Sequence, residues 1–252
     1  MVGEKDMFNI YTAIDILDEK CVRLQRGDFD ISTTYNNDPV FVAKRWKSVG
    51  AEYLHVIDLD GARTGMRSSF AIIEKIIKES GLKVQVGGGI RSLDTVDRYI
   101  AAGATRVIFG SIAVKDPKIV EEALTKHGPE KIVIALDCKG MHLALEGWTE
   151  DSEVTPQEVI EKFAPSGLKY VLYTDIERDG MLSGPNLDVL RVLATDSKVQ
   201  VIASGGVGTI EDVVVLKGLQ KEGLNVDGVI IGKALYDKKI HPKDLYKDQI
   251  YY

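Results

Sequence analysis

Two aspartates in this chain each end a short apolar segment, a position that suits acid–base chemistry. Asp15 ends the segment that begins at residue 10, and Asp137 ends the segment that begins at residue 132. One carboxyl group can remove a proton from a substrate while a second delivers one, so a facing pair would catalyse proton transfer. The alternative is that each Asp only caps a following helix or turn. The symmetric placement of the two residues favours the acid–base interpretation.

Two glycine-rich turns have the composition of phosphate-binding loops. Residues 84–86 run into Gly87-Gly88-Gly89, and residues 199–202 run into a second turn that ends in Gly205-Gly206. Glycine lets several backbone N–H groups approach an anion near a helix N-terminus, although such turns also serve purely structural roles. Each turn is followed by an apolar segment that ends in glycine plus a small or basic residue. The candidate phosphate-binding residues are Gly88, Gly89, Gly110, Ser111, Ser204, Gly205, Gly206, Gly232 and Lys233.

These two candidate sites predict a substrate that carries a phosphate at each end. The two halves of the chain also repeat their motifs at a nearly constant spacing. Gly205 follows Gly88 by 117 residues, Asp175 follows Asp58 by the same number, and the first-strand aspartates are 122 residues apart. Loop insertions explain the drift, and chance similarity between short βα units is the alternative. The shared order of motifs favours duplication.

Eight short apolar segments alternate with amphipathic stretches, which is typical of βα units around a parallel sheet. Helix start signals such as Asp38-Pro39, Ser92 and Asp116-Pro117 stand between them. An open doubly wound sheet has the same local alternation. The number of strand candidates, eight, and the internal repeat favour an α/β fold of the closed (β/α)8 TIM barrel type. The strand candidates are residues 10–14, 53–57, 84–86, 107–109, 132–136, 170–173, 199–202 and 228–231.

We therefore expect residues 1–252 to form one domain of two half-barrels, at about 8–127 and 128–240. In such a barrel the loops that follow the strands converge on one mouth. Asp15 and Asp137 would face each other across it, from opposed strands. Asp179 follows the sixth strand candidate, a few residues after Thr174-Asp175.

Composition excludes several classes of protein. Hydrophobic residues make up 44% of the chain and charged residues 28%, as in globular proteins, and the net charge of −6 argues against a nucleic-acid partner. Cys21 and Cys138 fit neither a disulfide framework nor a metal site. No apolar run is long enough for a membrane span. We expect a monomeric cytoplasmic protein without a bound metal.

Two further residues stand out near the expected mouth. Trp148, in Glu146-Gly147-Trp148, either closes over a substrate ring as a lid or covers the barrel rim. His55 lies inside an apolar strand, where a hydrogen-bonded core position is expected rather than a catalytic role.

Taken together, the motifs resemble one family. They are AID at 13–15, VRL at 22–24, Gly27-Asp28, HVIDLDGA at 55–62, VGGGIRS at 86–92, EGW at 146–148, YTDIERDG at 173–180, LSGPN at 182–186 and ASGGV at 203–207. From about residue 8 to 236 the chain resembles the phosphoribosylformimino-aminoimidazole carboxamide ribotide isomerases of histidine biosynthesis.

The resemblance implies an Amadori rearrangement, in which a bisphosphorylated aminoaldose becomes an aminoketose without a cofactor. It implies that Asp15 removes the proton at ribose C2 and that Asp137 protonates the ring oxygen. Some mechanisms for the family give the acid role to Asp179, with Thr174 positioning the ribose. Arg23 and Trp148 match residues that contact the substrate from mobile loops.

Three other functions compete with this one. The cyclase subunit of imidazole glycerol phosphate synthase resembles the isomerase but has a Cys-Leu-Asp first strand and lacks the Glu-Gly-Trp loop. A dual-substrate isomerase that also acts on phosphoribosylanthranilate has an Arg where Glu146 stands, and Glu146 would repel the anthranilate carboxylate. A barrel that only binds a phosphosugar is the non-catalytic alternative.

Overall fold

Eight parallel strands close into a barrel in the computed structural model, which describes residues 8–25, 27–65, 69–195 and 198–246. Neighbouring strands pair in chain order, and the eighth strand pairs with the first through Asn9 and Gly228. The predicted (β/α)8 fold is confirmed. The strands are β1 (Asn9–Leu17), β2 (Tyr53–Asp58), β3 (Lys83–Gly87), β4 (Arg106–Phe109), β5 (Ile132–Lys139), β6 (Tyr170–Asp175), β7 (Gln200–Ser204) and β8 (Val226–Ile231).

Helices connect the strands, and the predicted start signals Asp38-Pro39, Ser92 and Asp116-Pro117 each precede one of them. The Asp38 carboxylate accepts a hydrogen bond from the Phe41 N–H, and Thr155 and Thr209 form capping boxes. The helices are α1 (Pro39–Ser48), α2 (Leu59–Thr64), α3 (Phe70–Glu79), α4 (Leu93–Ala102), α5 (Ile112–Lys115), α6 (Pro117–His127), α7 (Pro156–Phe163), α8 (Leu187–Thr195), α9 (Ile210–Lys221), α10 (Lys233–Tyr236) and α11 (Pro242–Leu245), with a 3₁₀ turn at Ala164–Ser166.

Strand alternation directs the candidate aspartates into the barrel. Tyr11 and Ala13 belong to the cluster that fills the barrel interior, whereas Ile14 and Ile16 pack in the layer between strands and helices. Because successive side chains of a strand point to opposite faces, Asp15 continues the inward series. On β5, Val133 and Ala135 lie inside and Ile134 and Leu136 outside, so Asp137 also points inward.

Two hairpins rise from the mouth of the barrel. The first hairpin comprises Lys20–Gln25 and Asp28–Asn36, and the second comprises His142–Leu145 and Glu150–Asp151. The expectation that β1 ends at Asp15 and β5 at Asp137 is wrong by two residues, because each strand continues into its hairpin. Asp15 pairs with Val22, and Cys138 pairs with Leu143.

Polar side chains fill the other end of the barrel. The Tyr11 hydroxyl donates to Asp227 at 2.5 Å and accepts from the Arg106 guanidinium at 2.7 Å. The same guanidinium stacks 3.7 Å from the Tyr170 ring centroid. Within the described ranges, no helix has the length and apolarity needed to span a bilayer.

Candidate active site

A cavity of about 420 Å³ opens at the carboxyl ends of the strands. Its walls include the candidate acid–base residues Asp15, Asp137 and Asp179, together with Thr174 and Trp148. Catalytic residues of (β/α)8 enzymes occupy this end of the barrel because the loops after all eight strands meet there. The structure therefore brings these predicted side chains into one cavity.

Asp15 forms an ion pair with Arg23 across the start of the first hairpin. The Arg23 guanidinium donates to the Asp15 carboxylate at 2.8 Å, and both side chains are at most 15% exposed. Burial raises the pKa of Asp15, the Arg23 charge opposes that rise, and the neighbouring Asp179 carboxylate adds to it. A carboxylate held by a guanidinium stays available to accept a proton.

Asp137 has a different environment. Burial raises its pKa, while hydrogen bonds from the Trp148 indole and the Thr174 hydroxyl oppose the rise and the charge of Asp179 adds to it. Thr174 lies directly beside Asp137 in the pairing of β6 with β5. The donor groups that lower the pKa of Asp137 are therefore neutral, whereas the group beside Asp15 is a cation.

Asp179 lies between the cavity and a smaller pocket next to it. Burial raises the pKa of Asp179, and the Arg23 charge and the Gly180 backbone N–H oppose that rise. Asp15 and Asp179 thus share the field of one guanidinium. Three carboxyl groups with raised pKa values therefore share one cavity.

The first predicted phosphate-binding turn lies in the wall of the cavity. Gly88, Gly89, Gly110 and Ser111 line it. Gly88 has φ +99°, and a Cβ built there would come within 2.2 Å of the Asp58 carbonyl oxygen. Only glycine fits such a position, which leaves the backbone accessible to an anion.

The second turn lines the smaller pocket and has the same construction. Ser204, Gly205, Gly206, Gly232 and Lys233 surround a space of about 20 Å³. A Cβ on Gly205 would lie 2.6 Å from the carbonyl oxygen of Asp175, the counterpart of Asp58 in the repeat. Matched contacts in the two halves support the proposed duplication, which stays a prediction.

Arg23 and Lys233 bring positive charge to this second pocket. The Arg23 guanidinium packs against Gly232, where a Cβ would be 1.9 Å from a guanidinium nitrogen. Lys233 pairs with Asp237, which also accepts a hydrogen bond from the Tyr35 hydroxyl at 2.7 Å. The pocket therefore presents two cations and glycine backbone to a ligand, a composition that suits a phosphate.

Trp148 lies at the tip of the second hairpin. Glu146, Gly147 and Trp148 have φ values of +49°, +64° and +73°, a left-handed run that costs a non-glycine residue roughly 1–2 kcal/mol. The indole lies against Gly27 of the first hairpin. Trp148 thus joins the two hairpins over the cavity.

His55 lies in the core, as predicted. Its Nδ1 is 3.0 Å from the Gln85 side-chain amide, and burial lowers its pKa to about 3, with the Arg23 charge adding to the effect. A neutral, hydrogen-bonded imidazole at the cavity floor is not poised for proton transfer at neutral pH. Among the described residues, no group of three His, Cys, Asp or Glu side chains could hold a metal ion.

The sequence did not predict a role for three cavity residues. These are Gly27, which contacts the Trp148 indole, and the cations Arg91 and Lys115. Arg91 and Lys115 lie 3.6 Å and 2.8 Å from the Glu146 carboxylate. Arg91 follows the glycine turn after β3, and Lys115 follows Gly110 after β4, so their positions near these glycines were a signal for them. Nothing in the sequence pointed to the partnership of Gly27 with Trp148.

Comparison with known proteins agrees with this geometry. Residues 9–241 match the family described as histidine biosynthesis protein. The chain belongs to this family. A relative from Francisella philomiragia is 45% identical over 92% of this chain and 96% of its own length, and one from Clostridioides difficile is 46% identical over 93% and 95%.

Both relatives are named as the isomerase of 1-(5-phosphoribosyl)-5-((5-phosphoribosylamino)methylideneamino)imidazole-4-carboxamide. A relative from Oceanobacillus iheyensis with the same name is 43% identical over 96% of this chain and 98% of its own. The resemblance found in the motifs is thus confirmed, and this histidine biosynthesis family fits a barrel that presents paired carboxylates between two glycine turns.

Proposed function

We propose that this protein is an isomerase that converts a bisphosphorylated aminoaldose ribotide of histidine biosynthesis into its aminoketose. The observation that carries the proposal is the arrangement of Asp15 and Asp137 on opposed strands of one cavity, with a glycine turn on each side. A substrate with a phosphate at each end would span the turns and place its ribose between the carboxyl groups. The names of the relatives support the same reaction.

The carboxyl groups suit the steps of an Amadori rearrangement. An acid protonates the ribose ring oxygen, the C1–O bond breaks, and a C1–N double bond forms. A base then takes the proton at C2, and the resulting enaminol becomes the ketone when C1 is protonated and the C2 hydroxyl gives up its proton. The reaction is internally balanced, so it consumes no oxidant or reductant.

We assign the base role to Asp15, because the Arg23 guanidinium at 2.8 Å favours its ionised form. We assign the acid role to Asp137, whose neighbours are the neutral donors Trp148 and Thr174. Asp179 is the second candidate for the acid, but it lies in the field of Arg23. Thr174 is proposed to orient the Asp137 carboxyl against the ribose.

The experiment is incubation with the purified aminoaldose ribotide and detection of the ketose product. Turnover without added glutamine, ammonia or metal supports the isomerase, whereas ammonia consumption would reveal the cyclase. Tight binding without turnover would point to a phosphosugar-binding barrel. The same assay with phosphoribosylanthranilate tests the second activity, which we propose is absent because its carboxylate would meet Glu146 in the cavity wall.

We further propose that the protein acts as a monomer in the cytoplasm and needs no cofactor or nucleic acid. The basis is that one chain supplies the acid–base residues and both phosphate sites. Sedimentation equilibrium at assay concentrations tests the monomer, and an obligatory dimer would contradict it.

A further inference from the structure

Lys115 holds both sides of the segment that carries Trp148. Its ammonium lies 2.8 Å from the Glu146 carboxylate and 3.0 Å from the Glu150 carboxylate. These acidic residues stand two positions before and two positions after the Trp. Lys115 ends α5, which begins directly after Gly110-Ser111. It therefore connects the first phosphate-binding turn to the second hairpin.

Glu146 adds two more contacts between the same regions. Its backbone N–H donates to the Ser111 hydroxyl at 2.8 Å, and its carboxylate lies 3.6 Å from the Arg91 guanidinium. The tip of this hairpin is left-handed at Glu146 and at Trp148. Non-glycine residues keep such a conformation only where surrounding contacts hold it. The Lys115 ion pairs are contacts of this kind.

The position of the Trp148 indole depends on that conformation. The indole lines the same cavity as Asp137, the proposed acid, where it opposes the rise in the pKa of Asp137, and its ring lies against Gly27. We propose that Lys115 is a positioning residue of the isomerisation, because its ion pairs with Glu146 and Glu150 hold the turn that places Trp148 over the substrate and against Asp137. The kinetic part of this proposal rests on the proposed function; the placement of Trp148 does not.

Direct binding of a substrate phosphate is the competing role for Lys115, which also lines the cavity. Two carboxylates within 3.0 Å already neutralise its ammonium. If Lys115 bound a substrate phosphate, its replacement would raise KM and weaken inhibition by inorganic phosphate. A positioning residue would instead change kcat and the exposure of Trp148, and its effect would vanish once its carboxylate partners are gone.

Acrylamide quenching of tryptophan fluorescence in the free protein measures the placement of Trp148. The chain has two tryptophans, and Trp46 is 6% exposed with its ring packed edge-on against Tyr236. A change in quenching therefore reports Trp148. The variants are Lys115→Met, Lys115→Arg, the double variant Glu146→Gln with Glu150→Gln, and the triple variant that adds Lys115→Met to the double one.

Lys44→Met is the matched control, because Lys44 in α1 is also an exposed lysine and forms an ion pair with Glu79 of α3 at 2.7 Å. We expect Lys115→Met and the double variant each to increase quenching and to lower kcat about fivefold, the scale of exposed ion pairs, with a smaller change in KM. The triple variant should show the same quenching and kcat as Lys115→Met and the double variant, since all three remove the same ion pairs. Lys115→Arg should restore both readouts, and Lys44→Met should change neither.

The proposal is wrong if Lys115→Met leaves quenching unchanged. A rise in KM and in the inhibition constant of inorganic phosphate, with quenching unchanged, would assign Lys115 to phosphate binding instead. If the wild type shows no turnover while the quenching differences persist, the proposed function fails and the placement of Trp148 by Lys115 stands.

Discussion

Gly27 lies directly against the indole of Trp148, although 121 positions separate the two residues in the chain. A Cβ built on Gly27 would come within 2.3 Å of the indole Cε3. Gly27 stands at the tip of the first hairpin with φ +74°, and Trp148 stands at the tip of the second. The two hairpins can meet over the cavity only because position 27 has no side chain.

Gly27→Ala should therefore separate the hairpins. The methyl group would displace the indole, and displacement of a positioning group by about 1 Å can lower kcat/KM by as much as 100-fold. Steady-state kinetics and acrylamide quenching measure the effect. Gly140→Ala is the control, because Gly140 also has a left-handed backbone in a hairpin turn but nothing lies within 4 Å of an added Cβ. Equal losses in the two variants would contradict the steric argument.

Asp15→Asn should remove general base catalysis while leaving substrate affinity nearly unchanged. General base catalysis contributes about 10²–10⁴-fold, so we expect kcat to fall by that factor. Affinity measured by calorimetry should stay within a few fold, because the glycine turns remain. Asp116→Asn serves as control, since Asp116 precedes α6 without a side-chain cap. Turnover at the wild-type rate in Asp15→Asn would remove Asp15 from the mechanism.

Asp137→Asn and Asp179→Asn together identify the acid. An acid acts in its protonated form, so turnover declines as pH rises through its pKa in the complex. We expect Asp137→Asn to lower kcat about 10²–10⁴-fold and to remove this decline. Asp179→Asn should keep it. Measured pH profiles with the opposite pattern would transfer the acid role to Asp179.

The strands, the glycine turns and the aspartates at the mouth could be predicted because short-range sequence patterns encode them. Period-two alternation specifies which face Asp15 occupies, and glycine marks the positions where Gly88 meets a neighbouring carbonyl. A (β/α)8 barrel then brings the carboxyl ends of all eight strands to one mouth. The positions of the aspartates and glycine turns at the mouth could therefore be predicted from local sequence patterns and the barrel topology.

The hairpins and their contacts could not be predicted in the same way. The Lys115–Glu146 pair and the Gly27–Trp148 contact join segments whose positions depend on tertiary packing, so no local signal indicates which residues meet. Helix α3 was not among the predicted starts because Ser69 is followed neither by a proline nor, three positions on, by the Glu or Gln of a capping box. Its apolar positions Ile73, Ile76 and Ile77 have helical spacing and were the available signal.

Asp137 should cost the protein stability at neutral pH. Because its pKa is raised in the folded state, the native protein loses stability as pH rises from the unfolded-state value of 3.8 through the folded-state pKa. Asp137→Asn removes this loss, so its melting temperature should exceed that of the wild type, by about 2–4 °C for each kcal/mol gained. The difference should shrink as pH falls towards 4. Calorimetry over that range tests it, and a constant difference would show that ionisation is not the cause.

Gly110→Ala should weaken substrate binding while leaving the fold intact. No atom lies within 4 Å of a Cβ at Gly110, and its backbone is not left-handed, so alanine fits the free protein. In the complex the methyl group would occupy space beside the first glycine turn, where we place a phosphate. Loss of one hydrogen bond to a charged group corresponds to about 10–100-fold in affinity, so KM and the inhibition constant of inorganic phosphate should rise by that factor. Gly218→Ala in α9 is the control, because its added Cβ also meets nothing and lies outside the cavity wall. Unchanged phosphate inhibition in Gly110→Ala would mean that the first turn does not hold a phosphate.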